Sequence, residues 1–335
     1  MSNNQVNISK LLFASEEELE KLIKVSGRIS RNYFGKRIQF YAPSFVRYRS
    51  NLFLSSPNIF PSISITGSYC ALGCKHCQGR ILNTMIPAPT PKKLVDVCRD
   101  LKKKGCKGIL ISGGCLSDGS VPLEKFLEAI AQIKQNLGLT IVVHTGLVDI
   151  KVAKKLRQVG VDAALIDVIG SNETISEIYQ MNTKVEEYEK SLKALHESEI
   201  PTVPHVLVGL HYGKLKGEFQ ALKMISKYNP AAVITIAFVP INGTVMEDVK
   251  PPSPEDIVRV LIAARFMLPN TPLVLGCVRP KGNHRVKTDI LSIKAGVNAI
   301  AYPTKEAIQL AESMSLKTSF SPVCCSQIFM NIHVQ

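Results

Sequence analysis

Short runs of aliphatic and β-branched residues alternate with longer stretches of helical periodicity along most of the chain. The first 60 residues stand apart and predict a polar helix over Ser15–Lys24, acidic near its start, and then a strand at Arg37–Tyr41. From Ser62 the alternation is regular. Strands are expected at Ser62–Thr66, Gly108–Ser112, Thr140–His144, Ala163–Ile169, Val203–Val208, Ala232–Phe238, Leu273–Leu275 and Ala299–Tyr302. Helices are expected at Pro91–Lys104, Leu123–Asn136, Ile150–Val159, within Glu173–Glu199, and at Glu218–Tyr228, Pro254–Met267, Val286–Ala295 and Lys305–Ser313. The strand runs are almost continuously apolar, as when both faces of a parallel sheet are covered.

Eight βα units in about 250 residues fit a (β/α)8 TIM-type barrel. An open doubly wound sheet is the competing topology; in both, loops after the strands carry the function. The expected organisation is an N-terminal helical extension over 1–60, a barrel over 61–315 and an irregular tail over 316–335. Polar residues recur at strand ends: Cys70, Cys115, His144, Asp167, His211, Asn242 and Cys277. They converge on one face of either topology.

Charge and cysteine content narrow the class. Lys and Arg number 41 against 27 Asp and Glu, a formal +14, with one dense cluster at Lys102, Lys103, Lys104 and Lys107. That excess is either a solvated surface or an attraction for an acidic partner. No RNA-binding or helix-turn-helix signature accompanies it, so nucleic acid is not expected. The apolar run at Ala231–Ile241 is too short to cross a bilayer, and the Met-Ser-Asn-Asn-Gln start shows no signal-peptide pattern. The expectation is a cytoplasmic protein without a membrane span. Nine cysteines in such a chain point to ligands, catalysts or core residues rather than disulfides.

Three of them form Cys70-x3-Cys74-x2-Cys77 directly after the first barrel strand. Three thiolates hold a cubane iron–sulfur cluster and leave one iron open for chemistry. Structural zinc normally takes a fourth protein ligand, and His76 is too close in sequence to serve comfortably. This spacing, with His76 before the third cysteine, resembles the radical S-adenosylmethionine (SAM) superfamily. The resemblance implies a [4Fe-4S] cluster that chelates SAM and releases a 5′-deoxyadenosyl radical. Ser112-Gly113-Gly114-Cys115 lies where that family carries Gly-Gly-Glu, whose backbone receives the amino group of SAM; Cys115 stands in place of the usual Glu. Asp167 resembles the ribose-contacting position, with Ser171 and Glu173 beside it. Val208-Gly209-Leu210 resembles the segment packed by the adenine.

Phe238–Thr244, Pro251–Glu255, Ala263–Pro269, Leu275–Pro280 and Lys294–Ile300 resemble the later barrel units of biotin synthase, so the likeness spans about residues 60–304. Within that branch the Gly-Gly-Cys and Leu-Gly-Cys-x-Arg-Pro segments resemble the two-protein lipoyl synthases. That likeness implies sulfur insertion into an octanoyl-lysine of an acidic lipoyl-carrier protein, a partner radical SAM protein, an electron donor such as ferredoxin, and a second, auxiliary cluster as sulfur source. Cys115, Cys277, Cys324 and Cys325 are the candidate auxiliary ligands, or else buried small residues. Cys98 and Cys106 are expected to be packing residues. A mutase or cofactor-maturation enzyme with one cluster is the alternative; there Arg279, Arg285, His211 and Tyr212 would bind a small carboxylate. His144 and His205 are expected to satisfy internal hydrogen bonds.

Overall fold

The computed structural model describes residues 11–44, 48–49 and 53–332. All eight predicted barrel strands are present: β2 (Ser62–Ser64), β4 (Gly108–Ser112), β5 (Thr140–His144), β6 (Ala163–Asp167), β7 (Thr202–Val208), β8 (Val233–Ala237), β9 (Leu273–Leu275) and β10 (Ala299–Ala301). Each pairs in parallel with the next in sequence order. The short β3 (Ile86–Pro87) adds to the β2 edge. At the other edge, β1 (Arg37–Tyr41) pairs with β10, and β11 (Lys317–Ser321) pairs with β1. The result is an 11-stranded parallel partial barrel, and among the described residues no pairing closes β11 onto β3.

The flanking helices are α1 (Glu16–Phe34), α2 (Pro91–Lys103), α3 (Leu127–Leu137), α4 (Ile150–Gln158), α5 (Val185–Glu197), α6 (Glu218–Ile225), α7 (Pro254–Met267), α8 (Asn283–Lys294) and α9 (Lys305–Ser313). Helix α1 runs ten residues beyond the predicted Lys24. Ser15 caps it in a reciprocal box with Glu18, and Leu19, Ile23, Ser26, Gly27, Ser30 and Phe34 form one buried stripe. Small residues at Ser26, Gly27 and Ser30 hid that stripe from an apolar pattern. They let α1 approach α8 closely: Ser26 Oγ donates to Ala295 O at 2.7 Å. The N-terminal extension is therefore built into the same sheet and helix layer.

The expected irregular tail is a correction. Lys-Thr-Ser-Phe-Ser is too polar to read as a strand, yet it forms β11 through backbone pairing along all five residues of β1. Phe320 anchors it between Phe40 and Phe53, with ring centroids 5.1 and 5.6 Å away. The chain then enters the barrel. Cys324, Cys325, Ile328 and Ile332 are buried there against Val142, Leu165, Val203, Ile234 and Val274, the inward residues of five strands. A separate apolar layer lies between sheet and helices and includes Cys98 and Cys106, as expected of packing residues. No described helix is long and apolar enough to cross a membrane.

Candidate active site

The cluster loop leaves β2 at the carboxyl end of the sheet and is clamped from the opposite side of the barrel. Lys75 N donates to Ile178 O at 2.8 Å, Cys74 Sγ to Tyr179 O at 3.7 Å, and Gln180 Nε2 to Gly73 O. Ile178 and Tyr179 belong to a π-helical turn, Ile175–Tyr179, after β6. Such turns are frequent at functional sites. Lys75 Nζ also reaches Tyr212 Oη, 3.0 Å away after β7. Thus two loops hold one loop.

Cys74, His76 and Cys77 bring their ligand atoms within 4.8 Å of one another, with Cys70 half-buried nearby. Cys74 and Cys77 share a proton: their hydrogen bond raises the Cys74 thiol and holds Cys77 down to about 4. His76 packs on Tyr179 at 5.3 Å, and its Nδ1 is buried without a hydrogen-bond partner. Three thiols on a tightly held loop, with Cys77 shifted toward the thiolate, fit an iron–sulfur cluster, whose ligands are thiolates.

Gly113 and Gly114 lie directly against that loop. A Cβ on Gly114 would stand 2.0 Å from Tyr69 O and 2.6 Å from Cys70 Cα, so no side chain fits there. Gly114 N donates to Thr66 Oγ1 at 2.7 Å, tying strands β2 and β4 together above the sheet. Gly209, with φ +72°, lies so close to Pro252 that a Cβ would be 2.6 Å from the ring. Its N–H donates to Glu218 Oε1 at 2.8 Å. Ser171 caps the turn after β6 through Thr174 N at 3.2 Å. His211 Nδ1 lies 3.2 Å from Thr174 Oγ1.

The four auxiliary candidates do not form one group. Cys115 belongs with the cluster loop: its carbonyl accepts from Ala71 N, and burial and then Cys70 push its thiol up to about 12. Cys277 joins Cys324 and Cys325 instead. Burial pushes Cys277 up to about 11, with Cys324 adding to the effect. Cys325 donates to Cys324, which favours the Cys324 thiolate, at about 7.

Arg279 is a second correction. It is 2% exposed, and its guanidinium makes five hydrogen bonds, to both Asp289 oxygens and to Gly276 O, Ala301 O and Tyr302 O. It ties the carboxyl ends of β9 and β10 to α8 and has no donor left for a substrate. Arg285 remains half-buried beside it, donating to Arg279 O and Pro280 O.

Sequence reasoning missed one constellation. His144, Asp167 and His205 end or interrupt adjacent strands β5, β6 and β7, each two residues beyond a bore residue: Val142, Leu165 and Val203. The two-residue period turns all three inward. His144 Nε2 is 3.5 Å from Asp167 Oδ1, and the two imidazoles lie 5.7 Å apart. Burial raises Asp167, but the His144 charge outweighs it and holds the carboxyl at about 2. Burial lowers His144, and Asp167 reverses that to a net rise. Burial carries His205 down to about 4. Asp167, expected at the ribose, thus faces the bore between the cluster loop and the tail cysteines. A groove of about 870 Å³ outside the bore, between the loops after β4 and β5 and helix α5, includes none of the expected site residues.

A parallel partial barrel with three loop thiols above β2 defines the radical SAM class of architecture, and solved structures share it. The [FeFe]-hydrogenase maturase HydG superposes with a TM-score of 0.67 over 97% of this chain and 73% of its own, at 17% identity. Methylornithine synthase does so with 0.64 over 93% of each chain, at 18% identity. Residues 64–215 match the Radical SAM superfamily, and residues 236–325 match the Biotin and Thiamin Synthesis associated domain. The two matches together make the chain similar to radical SAM proteins that carry that associated domain, with biotin synthases among its distant relatives. Biotin synthase of Leptospira biflexa is 24% identical over 76% of this chain and 72% of its own, and that of Buchnera aphidicola (strain 5A) is 26% identical over 77% and 76%.

Proposed function

We propose that this enzyme inserts sulfur into a protein-bound octanoyl chain, as one of two cooperating lipoyl-synthase proteins. The observation that carries the reading is the gathering of Cys277, Cys324 and Cys325 in the bore, apart from the cluster loop. Such a set suits a second, auxiliary cluster with three thiolate ligands. Cys70, Cys74 and Cys77 would hold the first. The SAM amino group would lie against Gly113–Gly114, and its nucleoside between Ser171 and Gly209. Bound together, cluster and SAM supply a carbon radical able to abstract hydrogen from an unactivated C–H bond. The chain's own residues exclude water and position the target. The tail seals the bore from below, and the π-helical turn and Lys75–Tyr212 fix the cluster loop above it.

The +14 charge suits an acidic lipoyl-carrier domain as substrate, and a low-potential ferredoxin suits the electron supply. Iron and sulfide analysis with Mössbauer spectroscopy on anaerobic protein tests the reading. The expected content is roughly eight irons per chain, two cubanes. Cys324→Ala/Cys325→Ala should lose the second cluster while still releasing 5′-deoxyadenosine; Cys74→Ala should lose that release. Roughly four irons, with Cys277, Cys324 and Cys325 open to alkylation in the holoprotein, would leave sulfur insertion without a source and overturn it.

A further inference from the structure

The bore of the barrel is layered. Its lower layer is apolar, formed by Val142, Ala163, Leu165, Val203, Ala232, Ile234 and Val274 with the tail packed among them. One step higher the lining changes to His144, Asp167 and His205 on three consecutive strands. Barrel interiors are normally filled with branched apolar side chains. Three ionisable groups facing one another there need a partner or a ligand.

Internal hydrogen bonding does not account for them. His144 and Asp167 make one long contact of 3.5 Å. His205 Nδ1 is buried and has no hydrogen-bond partner. Yet one ligand atom from each residue lies within 4.8 Å of the other two, a spacing that a single ion can bridge with small side-chain movements. The backbone that presents them is paired strand, with Leu165 opposite both His144 and Val203, and Asp167 opposite His205. Sites on paired strands are held more precisely than sites on loops. The donor set is two imidazoles and one carboxylate from three adjacent strands. That set suits Fe2+, Zn2+ or another divalent transition metal, and three protein ligands leave positions open for a substrate group.

We infer that His144, Asp167 and His205 form a mononuclear divalent transition-metal site in the barrel bore, with open coordination positions facing the substrate chamber. The site is separate from the Cys70, Cys74 and Cys77 loop and uses none of the tail cysteines. The group it would take from the chamber is a carboxylate, a carbonyl oxygen or another lone-pair donor of the substrate. The ion thereby anchors the molecule beneath the place where the radical is generated.

The test uses full-length protein with Cys70→Ser, Cys74→Ser and Cys77→Ser, so no loop cluster competes, and Co2+ as the probe. The expected result is one cobalt per chain with the visible d–d absorption of a four- or five-coordinate ion and no thiolate charge-transfer band. Asp167→Asn and His205→Ala in that background should each weaken binding about tenfold or more. His196→Ala, exposed on α5, should leave it unchanged. Far-UV circular dichroism confirms that each variant is folded. Absence of stoichiometric cobalt, binding indifferent to Asp167 and His205, or a thiolate band abolished by Cys324→Ser would each overturn the assignment. None of these readouts depends on lipoyl synthesis or on the loop cluster, so the two readings fail separately.

Discussion

Raising the pH should destabilise this protein through one carboxyl group, Glu218. It opens α6 and is 5% exposed. Its Oε1 accepts from Gly209 N at 2.8 Å, while Oε2 is buried without a partner. Burial pushes the group from its ordinary 4.5 up to about 7, against the partial help of that backbone donor. The folded protein therefore keeps its proton up to about pH 7, whereas the unfolded chain releases it near 4.5. Between those values the folded state binds more protons, so stability falls as pH rises, and the penalty is complete above 7. At about 1.4 kcal/mol per unit, the shift amounts to about 3 kcal/mol. Glu218→Gln keeps an acceptor for Gly209 and removes the charge. Its amide nitrogen inherits the unpartnered position, at a cost of about 1–3 kcal/mol that does not change with pH. The informative quantity is the difference between variant and wild type, in which other titrating groups cancel. Urea unfolding of reduced, cluster-free protein across this range should show the variant gaining about 3 kcal/mol on wild type between about pH 4.5 and pH 8. Parallel pH profiles would refute the claim that the fold holds Glu218 protonated well above the pH at which the unfolded chain releases the proton.

Three further outcomes follow from the packing. Gly114→Ala places a Cβ 2.0 Å from Tyr69 O and must displace the cluster loop; iron uptake on reconstitution should drop well below wild type while far-UV circular dichroism is unchanged. Asp289→Ala leaves the Arg279 guanidinium charged and unpaired at 0% side-chain exposure, which should cost about 3–5 kcal/mol in urea unfolding. Phe320→Ala removes the half-buried ring between Phe40 and Phe53. It should cost about 2 kcal/mol, less than the full price of a core phenylalanine, and limited proteolysis should then cut the chain near β11.

The barrel strands were legible because each is a β-branched run buried on both faces, and the cluster loop because thiolate spacing is specific chemistry. The features that sequence hid are those that depend on partners far along the chain. Nothing in Lys317–Ser321 signals a strand, because its pairing energy comes from the β1 backbone 280 residues earlier. Arg279 looked available for substrate because its partner, Asp289, lies ten residues on in the next helix, and its other acceptors are carbonyls that no side-chain pattern reveals. His144 and His205 looked like ordinary core histidines singly. Their meaning rests on strand register, which places both beside Asp167. The grouping of Cys277 with the tail, leaving Cys115 at the cluster loop, has the same origin: strand-end position alone fixes the face, not the neighbour.

The tail also explains why the bore is lined as it is. Ala163, Ala232, Ala299 and Ala301 are small for barrel interior positions, which usually carry branched side chains that fill the space unaided. Small residues leave room, and Ile328, Ile332, Cys324 and Cys325 occupy it. Strand β11 makes that occupancy cheap in entropy, since it fixes the chain five residues wide against β1 before it turns inward. One segment therefore does three jobs. It completes the apolar core, closes the lower end of the chamber to water, and delivers two thiols next to Cys277 beneath His144 and Asp167. Free cysteine packs as a small apolar residue, so Cys324 and Cys325 fit the restricted space at those depths. They sit where the lining turns polar, with Cys324 close enough to His144 to raise its pKa.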